Sequence, residues 1–324
     1  MANDAFEFAI LGAGALGSII GAHLARSGHA VVMLARGQRA QEIQRHGLRI
    51  KGLVEFSQPV SVLTDVSRFK GAAVLIVATK TNGTQAALEP LRHARIGTAF
   101  SVQNGLMKND QLAAVWGRER VLGALADTSG ELLSTGETLF TRNARLYVGE
   151  LSGGGSARAQ HIAETIDRSG IRASAVSGIE SLEWSKFAAW AGMMVLSVTT
   201  RAVTWKYLVD ADSALVLARL VREVGALALA RKIPLSDQSP LPVAAIVRSS
   251  EAESVALIQA IGHQLKSTAP EHRMSSLQDL EAGRPLEIEE TLGYAARNAA
   301  QLDLPLPLLQ SFYSLAASID RIRP

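Results

Sequence analysis

The chain has 324 residues, of which 48% are apolar and 19% charged, with a formal net charge of +3. That length and balance suit a globular protein of two ordinary domains, and so small a positive excess without a basic tract gives no support to nucleic-acid binding. Cysteine is absent, which excludes disulfides, thiolate catalysis and cysteine-ligated metals. The run Met1-Ala2-Asn3-Asp4-Ala5 has no basic leader region, and no stretch of about 18 apolar residues is free of charges, so the expectation is a cytoplasmic chain without a membrane span. The seven histidines show no metal-ligand spacing, and no metal is expected.

In chain order, an apolar run at 8–11 leads into Gly12-Ala13-Gly14-Ala15-Leu16-Gly17, a helical stretch at 16–27 and a second strand at 30–35. The glycines follow the spacing G-x-G-x-x-G between a strand and a helix, the setting in which that spacing forms a dinucleotide site. Gly12 turns the chain sharply, Gly14 lets backbone approach a pyrophosphate, and Gly17 lets helix and strand pack closely. At the end of the second strand, where an acidic residue would accept from a ribose 2′-hydroxyl, the chain has Arg36. A guanidinium pairs with a 2′-phosphate instead, so the expected cofactor is NADP(H). Further strands are read at 48–51, 60–63, 72–78, 98–102, 121–126, 138–141, 145–149 and 172–176, and helices at 38–46, 85–92, 108–116 and 157–168. This alternation predicts an α/β, doubly wound domain over 1–178. Ligands of such sheets bind at the carboxyl ends of the strands, which directs Lys80 and Asn104 toward the cofactor.

Beyond 178 the pattern turns helical, with helices read at 180–201, 213–231, 251–266, 275–281, 288–302 and 308–321, so 179–324 is expected to be an all-α domain. A helical domain joined to a dinucleotide domain would bring an acid or base to the reacting substrate. Lys186, in Glu183-Trp184-Ser185-Lys186-Phe187-Ala188-Ala189-Trp190, is the candidate: an ammonium near a carbonyl oxygen stabilises developing charge and donates a proton. Its other reading is a surface lysine whose stem lies along apolar neighbours. Glu287 stands among three carboxylates at a helix start, where dipole compensation is the competing use, and Ser275 precedes a helix that it could cap. The apolar C-terminal residues Phe312, Tyr313 and Leu315 leave two uses open, core packing or a homodimer surface.

These residues together resemble the ketopantoate reductases (2-dehydropantoate 2-reductases) over nearly the whole length. The resemblance rests on Gly12 to Gly17, Arg36, Lys80, Gln103-Asn104-Gly105, Trp184-Ser185-Lys186, Ser275-Ser276-Leu277-Gln278-Asp279 and Gly283-Arg284-Pro285-Leu286-Glu287-Ile288. It implies a Rossmann domain holding NADPH, a helical substrate domain, and reduction of a small-molecule 2-oxo acid to a 2-hydroxy acid, as in the formation of pantoate. By the same resemblance Arg36 binds the 2′-phosphate, Lys80 and Asn104 the cofactor, and Asn104 also the substrate. Lys186 is the general acid and Glu287 the second catalytic residue, holding a donor on the substrate or on Lys186; Lys186, Ser275 and Glu287 also bind substrate.

The chain departs from the family four and eight residues after Lys186, where asparagines give way to Trp190 and Met194. Those offsets keep a residue on one helix face. The acidic motif also drifts, with Leu286 for threonine, Glu290 for an aromatic and Leu292 for asparagine. Two lost hydrogen bonds of about 0.5–1.5 kcal/mol each would cut preference for a hydroxyl-bearing substrate by roughly tenfold to a hundredfold. Trp190 and Met194 are therefore expected to line a more apolar substrate region, suited to a larger aliphatic or aryl 2-oxo acid or a cyclic imine; their other reading is core packing, with the pocket built elsewhere. An imine reductase and a catalytically silent NADP(H) sensor are the two rival uses of the same frame.

Overall fold

The computed structural model describes residues 6–322, so the leader reading at Met1–Ala5 lies outside the described residues. The chain divides into two compact units: residues up to 103 together with 108–179, and residues 104–107 together with 180–324.

The first unit is built on a parallel sheet. Its strands are β1 (Phe6–Leu11), β2 (Val31–Leu34), β5 (Ser61–Leu63), β6 (Gly71–Val77) and β7 (Arg95–Ser101), in the order β5-β2-β1-β6-β7. The centre of that sheet is apolar because β1 is paired on both edges, Ile10 lying opposite Met33 on one side and Ile76 on the other. Between the strands run α1 (Ala15–Arg26), α2 (Gly37–His46), α3 (Thr84–Leu88) and α4 (Met107–Trp116). A second, mixed sheet contains β3 (Leu48–Gly52), β4 (Phe56–Gln58), β8 (Leu122–Leu132), β9 (Thr138–Glu150) and β10 (Ala173–Ala175), with α5 (Ala157–Arg168) between β9 and β10. Ile19, Phe100, Phe140, Val148 and Ile166 belong to one core that serves both sheets.

Several boundaries differ from the sequence reading. The strands expected at 138–141 and 145–149 are one strand, β9, because β8 pairs antiparallel with it from Leu122↔Glu150 to Leu132↔Thr138. Register shifts near Asp127 and Ser129 absorb the polar middle, and Arg142 makes a two-pronged pair with Asp127 at 2.7 and 2.8 Å. The helix expected at 85–92 stops at Leu88 and tightens into a 3₁₀ turn, Glu89–Leu91, where Pro90 has no N–H to continue it. The strand β4 has no signal in the sequence, since three residues are too few for periodicity to register.

The second unit is helical, with no strand among the described residues from 180 onward. Its helices are α6 (Ile179–Thr200), α7 (Thr204–Val209), α8 (Ala211–Ala230), α9 (Val243–Arg248), α10 (Glu251–Thr268), α11 (Ser275–Glu281), α12 (Tyr294–Gln301) and α13 (Pro307–Ile322). The short helices α7 and α9 escaped the sequence reading, and the helix expected at 288–302 is a π turn, Glu289–Gly293, followed by α12. From Leu182 to Val198, α6 is buried at every position except Lys186; most of these residues are apolar, and Glu183, Ser185 and Ser197 are the polar ones buried with them. A Cβ on Gly192 would come within 2.3 Å of Leu217 Cδ1, so α6 and α8 meet closely there. No helix among the described residues is long and apolar enough to cross a membrane.

Candidate active site

In the first unit the three motif glycines are needed for different reasons. Gly12 has φ +104°, and a Cβ there would lie 2.7 Å from Thr79 N. A Cβ on Gly17 would lie 2.0 Å from Gly12 O. The chain's own packing therefore demands both. Gly14 differs: its φ is −71°, and the nearest atom to an added Cβ is Ala78 O at 4.0 Å. Neither backbone conformation nor internal packing requires glycine there, and the space is open to a ligand. Gly14 is also the N-cap of α1, which has no side-chain cap and no acidic residue in its first turn. Its first N–H groups and its dipole are thus available to an anion, so these residues fit a dinucleotide pyrophosphate.

Two arginines follow β2. Arg36 is exposed and stands at the N-cap of α2. Arg39 is bound into the protein: Nε donates to Ala13 O at 2.9 Å, the two terminal nitrogens donate to Ser18 Oγ at 2.8 Å and Gly136 O at 2.7 Å, and Ser18 Oγ donates to Ala13 O at 3.2 Å. Burial lowers the pKa of Arg39, with Glu42 opposing. Arg39 braces the glycine turn, a function the sequence reading did not assign. At the end of β6, Lys80 is exposed and its backbone oxygen accepts from Gln103 Nε2 at 3.1 Å and Thr84 Oγ1 at 3.2 Å.

In the second unit, Lys186 and Asn104 come together: Lys186 Nζ lies 3.5 Å from Asn104 Oδ1, the outer limit of a hydrogen bond. Both side chains are half-buried. Gly105, with φ +84°, brings its Cα against the π turn, where an added Cβ would be 3.0 Å from Thr291 Cγ2 and 3.4 Å from Glu290 O. Buried Thr291 in turn donates its hydroxyl to Glu287 O and lies 3.3 Å from Ile288 O. The segment carrying Asn104 and the segment carrying Glu287 therefore share one contact. Thr291 is a residue that sequence reasoning missed, and its only signal was its position four residues after Glu287.

Of the three carboxylates, Glu289 has a structural partner set. Tyr313 Oη donates to it at 2.8 Å and Arg297 pairs with it at 3.3 Å, and Glu289 raises the pKa of the Tyr313 hydroxyl. Glu287 and Glu290 are half-buried. Ser275 is the first residue of α11 rather than its cap, since the N-cap is Met274. Its neighbour Ser276 is buried, 3.1 Å from Ser197 of α6. Trp190 is 7% exposed and Met194 1%, and both belong to the helical core, with Phe187 stacked on Trp190 at 6.2 Å. Ser185 Oγ accepts from Ser236 N at 2.8 Å, which ties the proline-containing segment beside Lys186.

The family model for ketopantoate reductase PanE/ApbA matches residues 8–153, and that for its C-terminal part matches residues 178–320. A 2-dehydropantoate 2-reductase of Archaeoglobus fulgidus is 28% identical over 311 residues, covering 96% of this chain and 97% of its own. Among solved structures, a PanE/ApbA family ketopantoate reductase from Ralstonia eutropha JMP134 has a TM-score of 0.81 at 25% identity, over 98% of this chain and 99% of its own. D-mandelate dehydrogenase with NADH and anilino(oxo)acetate shares the fold, with a TM-score of 0.84 at 19% identity, over 97% of this chain and 98% of its own. Matched in both its parts and along its length, the chain belongs to the ketopantoate reductase PanE/ApbA family, a family of oxidoreductases that use a nicotinamide cofactor.

Proposed function

We propose that this protein is an NADPH-dependent reductase of a 2-oxo acid whose side group is larger and more apolar than that of ketopantoate. The observation that carries the reading is the Lys186–Asn104 pair, 3.5 Å apart, with Lys186 the single position not buried between Leu182 and Val198. In this reading residues 1–178 bind the cofactor and 179–324 serve the substrate. Gly12 to Gly17 offer backbone N–H groups to the pyrophosphate, exposed Arg36 pairs with the 2′-phosphate, and Lys80 and Asn104 also contact the cofactor. The bound dinucleotide supplies the hydride that the carbonyl carbon accepts. Lys186 donates a hydrogen bond to the carbonyl oxygen and gives up a proton as negative charge grows there. Asn104 Oδ1 fixes the direction of that ammonium and orients the substrate.

Ser275 and Glu287 hold the rest of the substrate. Trp190, one turn beyond Lys186, forms an apolar wall in place of a hydrogen-bonding amide, and Met194, a further turn along, continues it. The same fold in D-mandelate dehydrogenase accommodates anilino(oxo)acetate, so the fold itself leaves room for an aryl oxo acid. Leu315 and Ile322 leave apolar surface exposed on α13, which a homodimer would cover; molar mass in solution decides this.

The test is NADPH oxidation with ketopantoate and a panel of bulkier aliphatic and aryl 2-oxo acids. A higher kcat/KM for a bulkier acid supports the reading. A best value for ketopantoate removes Trp190 and Met194 from substrate selection. Turnover of cyclic imines alone, or NADPH binding with no turnover, would replace it with an imine reductase or a silent sensor.

A further inference from the structure

Gln103 stands in the sequence motif before Asn104, yet the reaction outlined above gives it no task. It is buried at 7% exposure at the end of β7, and its amide is fully engaged. The two hydrogens of Nε2 are shared among three acceptors, Thr79 Oγ1 at 3.0 Å, Lys80 O at 3.1 Å and Thr84 Oγ1 at 2.7 Å. Oε1 accepts from Ser101 Oγ at 2.8 Å, and the Gln103 backbone N–H donates to the same hydroxyl at 3.2 Å. The Lys80 carbonyl can only accept, which fixes which end of the amide faces it. Thr84 Oγ1 lies 2.8 Å from Thr81 O, so its own hydrogen stays within the segment.

The network reaches two further elements. Thr79, held by Gln103, is the residue that an added Cβ on Gly12 would strike at 2.7 Å. On the other side, buried Lys108 donates from Nζ to Ser101 O at 3.0 Å and to Ala124 O. One side chain thus joins the carboxyl ends of β6 and β7 to the wall of the glycine turn, and the corner it stands on is itself braced by a lysine. No apolar residue could do this, because the threonine hydroxyls would lose the amide donor and the Lys80 carbonyl would keep only the 3.2 Å contact from Thr84 Oγ1.

We propose that Gln103 is a positioning residue for dinucleotide binding: its amide sets the Lys80 segment against the glycine turn, so that Lys80 is preorganised for the cofactor. The inference rests on the reading that Lys80 and the turn bind NADPH. It acts through Lys80 and not through general stability, which separates it from a purely structural glutamine.

Fluorescence titration with NADPH tests it on the full chain, with thermal unfolding of each variant alongside. Gln103→Met keeps the size of the side chain and removes both amide ends; it raises the NADPH Kd roughly tenfold. In a Lys80→Met background the same change raises Kd by less than about threefold, because the residue it acts through is gone. Thr84→Val, which deletes one acceptor and leaves Gln103 in place, shows the same non-additivity with a smaller factor and serves should Gln103→Met not fold. An unchanged Kd in Gln103→Met, or equal factors in both backgrounds, overturns the inference alone. Failure of the unaltered protein to bind NADPH overturns the cofactor reading and the inference with it.

Discussion

Gly14→Ala separates cofactor binding from folding more cleanly than any other change in the glycine turn. The new methyl would have Ala78 O as its nearest neighbour, at 4.0 Å, and the backbone φ of −71° is ordinary for alanine. Two small terms then compete. Alanine is a poorer N-cap than glycine, which costs up to about 1 kcal/mol, and it narrows the unfolded ensemble, which returns about 0.4–1 kcal/mol. The net change stays within about 1 kcal/mol, or about 2–4 °C in Tm for a chain of this size. The ligand's side is less forgiving. The methyl projects into the space expected to hold the pyrophosphate, and displacing that group weakens charge-assisted bonds of about 1.5–3 kcal/mol each. Losing one of them raises the NADPH Kd by about ten- to 150-fold, and losing two raises it by more. The assay is NADPH titration with thermal unfolding on the same sample. Gly17→Ala is the contrasting control: its Cβ would meet Gly12 O at 2.0 Å, so it costs about 1–3 kcal/mol or more of stability. A Gly14→Ala protein that binds NADPH within about threefold of the parent would refute the reasoning, since even one lost charge-assisted bond exceeds that factor.

Three further outcomes follow from the same geometry. Arg36→Ala, at an exposed side chain, should reduce the preference for NADPH over NADH by about ten- to 150-fold in kcat/KM, the value of one charge-assisted contact; an unchanged ratio places the 2′-phosphate elsewhere. Gly105→Ala should lower kcat and stability together, because a φ of +84° disfavours alanine and its Cβ would press on Thr291 Cγ2 at 3.0 Å, and Thr291→Ser should restore the part of the activity lost to that contact by removing the methyl. His23 is buried with Nδ1 2.9 Å from Ser169 O and no partner for Nε2 among the described residues, and burial lowers its pKa from 6.5. The unfolded chain then takes up the proton first as pH falls, so stability is fully present above about 6.5 and declines below it. Thermal unfolding across pH should show that decline, flattened in His23→Leu.

The parallel sheet was legible because β6 and residues 8–11 of β1 are continuous apolar runs and because Gly12 and Gly17 answer steric demands that sequence spacing encodes. The helical half was legible in α6, α8, α10 and α13, which are long enough for periodicity to register. What escaped was set by pairing at a distance. β9 runs unbroken through a polar stretch because β8 pairs with it throughout, and β4 exists because β3 offers an edge. At the candidate site, the sequence supplied Asn104, Lys186 and Glu287 separately. It gave no sign that Gly105 would rest on Thr291, or that Gln103 rather than a charged neighbour would hold the Lys80 segment. Such roles depend on backbone carbonyls, which every residue carries and no motif marks.

The most direct test of the account is the turnover of Lys186→Met with the best 2-oxo acid of the panel, at saturating NADPH and with the NADPH Kd measured in parallel. The account predicts a fall in kcat of about 10²–10⁴ with Kd essentially unchanged, the loss expected when a positioned proton donor is removed. A kcat within a few-fold of the parent would contradict it and leave Lys186 as a lysine whose stem merely packs along the buried helix.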